Sequence, residues 1–508
     1  MSLAMYLRET ARQNRAGAAI LDDDRTLTYP QFVDRVARCA SLLESLGLKR
    51  GQRFATVMRN GSRQAELMFA GYWAGIVPVP VNWRLAPPEI AAIVADAECP
   101  LVMVDDDFLS VLDHPAMESW KGRHLVVDRA GGASDYDKRL EALAPMAPQE
   151  IDENEDAQLI YTGGTTGRSK GVRLSHRNIA ANAHQIAIRA RILPDDIWLH
   201  VAPMFHAADT ICTCGYLLGN AHHYVRVFNG QSGLAAIERH RCTVTSITPT
   251  MIKMMLDEPD FGRYDLAHFR HFLFGASPMP VEWILALREK LPKALLSHCF
   301  GQSETAPLLC LHHHDDMLAG LDKGDLEPLK SAGAPLLGVE MRIVDDSMRE
   351  VPLGQAGEVV VRGPNVMKGY LNRPEETAKA FEGGWLHTGD VGRLDERGRL
   401  YLFDRKKDMV ITGGENVYTT EVEAAIYQHP AVAECAVFGV PDAKLNEALF
   451  AAIVVKPGAR LTVEEVIAHC RPLIGGYKIP RQMAFVESLP KSAVGKVLKT
   501  ELRKSFRG

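Results

Sequence analysis

Apolar and polar positions along the chain fall into two textures. Up to about residue 330, stretches with apolar residues at three-to-four spacing alternate with short apolar, β-branched runs. "LTYPQFVDRVARCASLLESLGLKRGQRFATVM" (27–58) predicts a helix, a break at Gly47 and Gly51, and the strand "RFATVM". A helix through "ELMFAGYWAGI", the run "VPVPVNW", a helix at "PPEIAAIVADA" and the strand "PLVMVD" follow, and the pattern recurs at "VTSITPTMIKMML" and "FRHFLFGASPMP". Helices interleaved with such strands imply parallel sheets covered by helices. From about 331, "VEMRIVDD", "GEVVVRG" and "GRLYLFDR" alternate between Gly-containing turns and predict antiparallel strands. "DRKKD" (404–408) ends that pattern, and the remainder reads as a compact α+β unit of roughly 100 residues.

Length changes the picture in one respect: 508 residues exceed a single core and imply two to four structural units. A net charge of −5 gives no excess that would favour nucleic acid or an anionic membrane. Nine cysteines without a CxxC spacing suit reduced, buried thiols of a cytoplasmic protein better than a disulfide framework or zinc site. The N-terminus has no export signal, and apolar runs are too short for a membrane span. Peripheral membrane association and a homodimer stay open. "HHHDD" (312–316) is a poor metal site, since adjacent histidines rarely share one ion.

"YTGGTTGRSKGV" (161–172) breaks the pattern with glycines, hydroxyls and a lysine. Backbone N–H groups of such a turn can converge on phosphate oxygens, because glycine reaches positive φ without strain. Thr162, Thr165 and Thr166 add donors and Lys170 a charge, so the segment points to a polyanion such as a nucleoside triphosphate. The loop G-x-x-x-x-G-K-[ST] does not fit. Counted from Gly164 it needs glycine at 169 and a hydroxyl residue at 171, where the chain has Ser169 and Gly171. Alone, a Gly/Thr turn is equally an ordinary surface loop.

The whole string resembles the phosphate-binding signature of the adenylate-forming superfamily: acyl-CoA synthetases, luciferases and peptide-synthetase adenylation domains. Other segments resemble that family in its own order. "FGQSET" (300–305) implies that Phe300 covers adenine beside Gly301 and Gln302, that Ser303 contacts phosphate, and that Glu304 binds Mg²⁺ with Thr166. An oxygen ligand beside phosphates suits magnesium. "WLHTGDVGRLDERGRLYLFDRKKDMVITGGENVY" (385–418) implies that Asp390 and Arg405 hold the ribose hydroxyls. "PKSAVGKVLK" (490–499) implies a catalytic Lys496 on the loop before the last helix. With Thr162, Gly163, Gly164, Thr165 and Lys170, these complete the implied ATP-contacting set. Gly163, Ser169 and Phe300 replace a frequent serine, proline and tyrosine, and none of these changes removes a charge.

The resemblance runs from about 27 to 504 and implies an α/β fold. A large N-terminal domain of helix-covered sheets with a small β-barrel-like subdomain would span 1–404, a hinge 405–407 centred on Lys407, and a small mobile α+β lid 408–508. The implied reaction joins a carboxylic acid to CoA through an acyl-AMP, with ATP and CoA as co-substrates and Mg²⁺ as cofactor. Gly413 and Gly414 of "TGGEN" would border the pantetheine channel, and His206 would gate an acyl pocket walled by Ala207, Ala208, Thr248, Gly275, Ala276 and Gly301. Histidine in place of aspartate at 206 argues against an amino-acid substrate, although Asp209 is near. Small walls suggest an apolar medium/long-chain or aromatic acid rather than acetate. A carrier-protein-loading or luciferase-like enzyme, and a non-catalytic protein on this fold, are the alternatives.

Overall fold

The computed structural model describes residues 1–127, 135–162, 169–277, 279–412, 415–442, 445–491 and 497–506, which form a mixed α/β arrangement of five sheets. In the largest, the strands Ala18–Leu21, Ala221–Tyr224, Ile197–His200, Val244–Ile247, His271–Gly275 and Leu295–Gly301 lie parallel in that order. Antiparallel Thr26–Thr28 closes one edge, and Leu308–His312 with Ala334–Pro335 the other. Val244–Ile247 is buried at every position, the polar Thr245 and Ser246 included, as expected of a parallel strand covered on both faces.

A second sheet is all parallel: Val77–Pro80, Arg53–Val57, Val102–Val104 and His124–Val126. The helix Tyr29–Ser45 begins where the Thr28 hydroxyl accepts from Gln31 N–H and the Gln31 side chain accepts from Thr28 N–H at 2.8 Å. Such a reciprocal cap contributes about 1 kcal/mol. The helix buries Phe32, Val36 and Leu43, each side chain stabilising the fold by about 1.5–3 kcal/mol. The neighbouring helix Ser62–Ala74 is buried almost all round, so its sequence shows no apolar stripe. It carries Glu66 at 0% exposure, paired with Arg25 at 2.8 Å and Arg35 at 2.6 Å. Burial opposes that charge, but the two guanidiniums hold the carboxyl below its usual range.

A three-stranded antiparallel sheet joins Gly369–Tyr370, Lys170–Ser175 and Asp156–Thr162. The antiparallel texture after 331 becomes a four-stranded sheet, Glu340–Val344, Gly357–Arg362, Leu386–Leu394 and Leu400–Arg405. Its third strand is masked in the sequence because Thr388 and Asp390 are buried polar residues and Gly389 takes φ +70°. Beyond the turn at 406–408, Val410–Thr412, Glu415–Val417, Val432–Asp442, Asn446–Val455 and Gln482–Phe485 make a separate sheet. Helices Thr419–Tyr427, Val463–Cys470 and Lys499–Ser505 accompany it. The apolar cluster of Val410, Val437, Ile453 and Val466 draws only on this part of the chain, as an independent unit requires. All nine cysteines are free and buried. Among the described residues no helix is long and apolar enough to cross a membrane.

Candidate active site

The strand Leu295–Gly301 delivers Phe300 to the edge of the core, and the single turn Ser303–Thr305 presents Glu304. Glycine is obligatory at 301, where a Cβ would stand 2.0 Å from the Pro307 carbonyl oxygen. Gln302 N–H donates to Thr305 Oγ1 at 3.2 Å, fixing the turn, and Ser303 is buried within it. The Tyr370 hydroxyl donates to Glu304 Oε1 at 2.9 Å. Lys170 Nζ lies 5.0 Å from the centre of the Tyr370 ring and is ion-paired with Glu376. Burial and the adjoining Glu304 carboxylate raise the Tyr370 pKa, so its hydroxyl remains a donor. Tyr370 thus connects the lysine of one motif to the carboxylate of another. No spacing rule joins 370 to 304, and its two-residue strand carries no periodic signal.

Thr162 and Lys170 are register partners at the open end of the antiparallel pair Asp156–Thr162 and Lys170–Ser175. Gly163, Gly164, Thr165 and Thr166 lie outside the described residues. The segment therefore connects strand to strand, and the helix His176–Arg189 starts only after Ser175. That topology differs from a strand–loop–helix phosphate site, where a helix N-terminus faces the anion. Glu304 offers carboxylate oxygens, the donor chemistry magnesium prefers, and Tyr370 contacts both it and Lys170.

Asp390 and Arg405 are also register partners, on Leu386–Leu394 and Leu400–Arg405. Arg405 Nε is 2.8 Å from Asp390 Oδ1, and its Nη1 donates to the Thr388 carbonyl at 3.2 Å. Asp390 is 6% exposed. The pair is thus held by the register of two neighbouring strands rather than by a loop.

The residues expected to border the acyl group lie where three adjacent parallel strands finish side by side. His206 follows Ile197–His200, Thr248 follows Val244–Ile247, and His271–Gly275 ends in Gly275 and Ala276. His206 is half-buried in a turn where its N–H donates to Pro203 O at 2.9 Å and its carbonyl accepts from Asp209 N–H at 3.0 Å. Ala207 is buried, and the Ala208 side chain lies outside the described set. Thr248 is buried at the start of the helix Pro249–Leu256, with Oγ1 3.0 Å from Thr250 Oγ1. Ala276 is exposed with φ +69°. A Cβ on Gly275 would stand 2.1 Å from the Cys299 carbonyl oxygen. Strand packing therefore imposes smallness at 275 and 301, and those two glycines do not measure the volume of an acyl pocket. Two histidines that sequence reasoning missed lie below: His200 Nδ1 is 2.7 Å from Asp209 Oδ1, and His200 Nε2 is 2.9 Å from His222 Nδ1. In "HHHDD", His312 bonds to Ser331 O, His313 to Asp315 N–H and His314 to Leu296 N–H, three separate structural uses.

Lys407 sits exposed in the turn between the two parts of the chain. Its neighbour Lys406 bridges Asp346 at 2.9 Å and Glu358 at 3.1 Å, while Asp404 Oδ2 accepts from both Thr419 N–H and Thr419 Oγ1 at 2.6 Å. Gly413, Gly414 and Lys496 lie outside the described residues.

Residues 7–371 match the model of the AMP-binding enzyme family, and residues 421–496 that of the AMP-binding enzyme C-terminal domain. Feruloyl-CoA synthase from an Amycolatopsis species is 35% identical over 499 residues, covering 98% of this chain and 97% of that protein. 2-Succinylbenzoate–CoA ligase from Bacillus cereus (strain AH820) is 32% identical, covering 98% and 97%. ATP-bound MatB from Rhodopseudomonas palustris superposes with a TM-score of 0.90 at 29% identity, covering 100% and 99%. o-Succinylbenzoate CoA synthetase (MenE) from Bacillus subtilis, in complex with its acyl-adenylate OSB-AMP, gives 0.86 at 28%, covering 99% and 98%. The chain belongs to the AMP-binding enzyme family.

Proposed function

We propose the following reaction and assign its parts to this chain. The protein is an AMP-forming acid–thiol ligase, an acyl-CoA synthetase that uses ATP and CoA as co-substrates. A carboxylate oxygen attacks the α-phosphorus of ATP, pyrophosphate leaves, and the CoA sulfur then displaces AMP from the acyl carbon. Two anions meet in the first step, so cations at the developing charge matter more than a base. Lys496 supplies that cation. Thr162, Gly163, Gly164, Thr165, Thr166 and Lys170 hold the phosphates, Phe300 to Ser303 hold adenine and phosphate, and Asp390 with Arg405 hold the ribose. Glu304 with Thr166 would hold Mg²⁺, which, when bound, neutralises phosphate charge.

The observation that carries this reading is the sheet-built Asp390–Arg405 pair in a chain that matches both domains of the family. The separate C-terminal core and the exposed turn at Lys407 support a lid that rotates between steps, withdrawing Lys496 and bringing in Gly413 and Gly414. The acid is aromatic, as for relatives named for feruloyl and succinylbenzoate groups, and enters past His206 between Ala207, Ala208, Thr248, Gly275 and Ala276. Nine buried reduced thiols suit a cytoplasmic setting. The test is a panel of C2–C18 and aryl carboxylates assayed for products. AMP, pyrophosphate and an aryl-CoA thioester are expected. ADP with phosphate, or adenylate formed without any thioester, contradicts the assignment.

A further inference from the structure

The last helix, Lys499–Ser505, begins three residues beyond Lys496 and is fastened at both ends. Ahead of it, Leu498 N–H donates to Pro490 O at 2.8 Å and Val497 pairs with Lys491, so a short antiparallel stem brackets residues 492–496. Towards its far end, Arg503 Nη2 donates to Asp408 Oδ1 at 2.9 Å, beside the turn that holds Lys407. Lys499 runs inward, its side chain 15% exposed, with Nζ 2.8 Å from Glu423 Oε1 and donating to Thr419 Oγ1 as well. Glu423 Oε1 also accepts from Val437 N–H at 2.8 Å, which ties the pair to the C-terminal sheet. Burial opposes a charge on Lys499, but Glu423, Asp404 and Asp408 outweigh it and raise the lysine pKa, so the ammonium keeps its donors.

Thr419, fully buried, relays this contact across the turn at 405–407. Its hydroxyl accepts from Lys499 and donates to Asp404 Oδ2, and its N–H donates to that same oxygen, both at 2.6 Å. Asp404 Oδ1 in turn accepts from Arg405 N–H at 2.8 Å, and the Arg405 side chain holds Asp390. Phe403 and Tyr418 stack with ring centres 5.0 Å apart, and Thr420 Oγ1 donates to Phe403 O. Asp404 and Phe403 precede the turn, whereas Thr419, Thr420 and Lys499 follow it. A rotation about Lys407 that carries the helix Thr419–Tyr427 off the strand Leu400–Arg405 must break these bonds, so they favour one arrangement over the other. The chain of contacts runs from the stem around 492–496 to the pair assigned to the ribose, and fixing those two parts to each other is what adenylation requires. We infer that Lys499 and Thr419 are positioning residues for the first half-reaction, latching the C-terminal unit in the arrangement that forms acyl-AMP. The inference rests on the reading of 408–508 as a lid that presents Lys496 in that step.

The test measures the two half-reactions separately in the full chain: single-turnover pyrophosphate release from ATP and an aryl acid, and thioester formation from supplied acyl-AMP and CoA. Thr419→Val keeps the side-chain shape and the Lys499–Glu423 pair, and should slow the first step about tenfold while leaving the second within about twofold. Lys499→Met should slow the first step by about 10- to 100-fold, and Lys499→Arg should restore most of it. A purely structural contact would lower both steps together, in proportion to the folded fraction. Thr419→Val reports even where Lys499→Met, which strands the Glu423 carboxylate, disturbs folding. Equal losses in the two steps, or a first step that Thr419→Val leaves unchanged, overturns the latch. Lys496→Ala separates the two levels: if it is selective for the first step and the latch variants are not, the latch alone falls, and if it lowers both steps alike, the lid reading falls with it.

Discussion

At the end proposed to hold the nucleotide, Asp390 and Arg405 meet at 2.8 Å because two neighbouring antiparallel strands put them in register. At the end proposed to hold the acyl group, His206, Thr248 and Gly275 lie at or just beyond the ends of three separate parallel strands, and only the sheet aligns those ends. The first arrangement needs a hairpin-scale stretch of chain, and the second needs most of a domain. The two ends should therefore respond differently to substitution. Changes at the nucleotide end should scale the rate for every acid alike, and changes at the acyl end should alter the ratio between acids.

The largest effect is expected at Lys496. Lys496→Ala should lower adenylate formation by about 10²–10³ or more while sparing thioester formation from supplied acyl-AMP. Equal losses in both half-reactions would show that this lysine does not act in one step alone. Asp390→Asn should raise KM for ATP by about 10- to 100-fold, since it removes a charged hydrogen-bonding partner, yet leave the ratio of rates for aryl and long-chain acids unchanged. A shift in that ratio would break the separation of the two ends. Lys407→Pro should slow overall turnover on the order of tenfold with adenylation retained, as read by single-turnover assays of each step; unchanged CoA kinetics would remove the turn from the lid motion. Tyr370→Phe should cost about fivefold in adenylation, the worth of one hydrogen bond to Glu304. Titrating Mg²⁺ sharpens that case, because the deficit should shrink at saturating metal.

The same contrast explains what could be read without coordinates. The strands "VEMRIVDD", "GEVVVRG" and "GRLYLFDR" are visible because each carries a cluster of β-branched or aromatic residues between turn residues, and they appear as Glu340–Val344, Gly357–Arg362 and Leu400–Arg405. Leu386–Leu394 hides because two of its buried positions are the polar Thr388 and Asp390, which interrupt the apolar pattern. Residues of contiguous motifs, such as Glu304, Asp390 and Arg405, could be picked out one by one. Tyr370, His200 and His222 could not, since Tyr370 meets Glu304 across 66 residues and the two histidines meet across 22, and only packing supplies those partners. Smallness at Gly275 and Gly301 misleads in the opposite direction, because backbone contact from the next strand demands it.

The central claim is a two-step reaction in which one lid completes two active sites in turn. Rapid-quench measurement of pyrophosphate from enzyme, ATP, Mg²⁺ and an aryl acid tests it most directly. The account predicts one equivalent of pyrophosphate per enzyme, a stall with acyl-AMP bound, and resumption when CoA is added. Steady release of pyrophosphate at the same rate with and without CoA would contradict it.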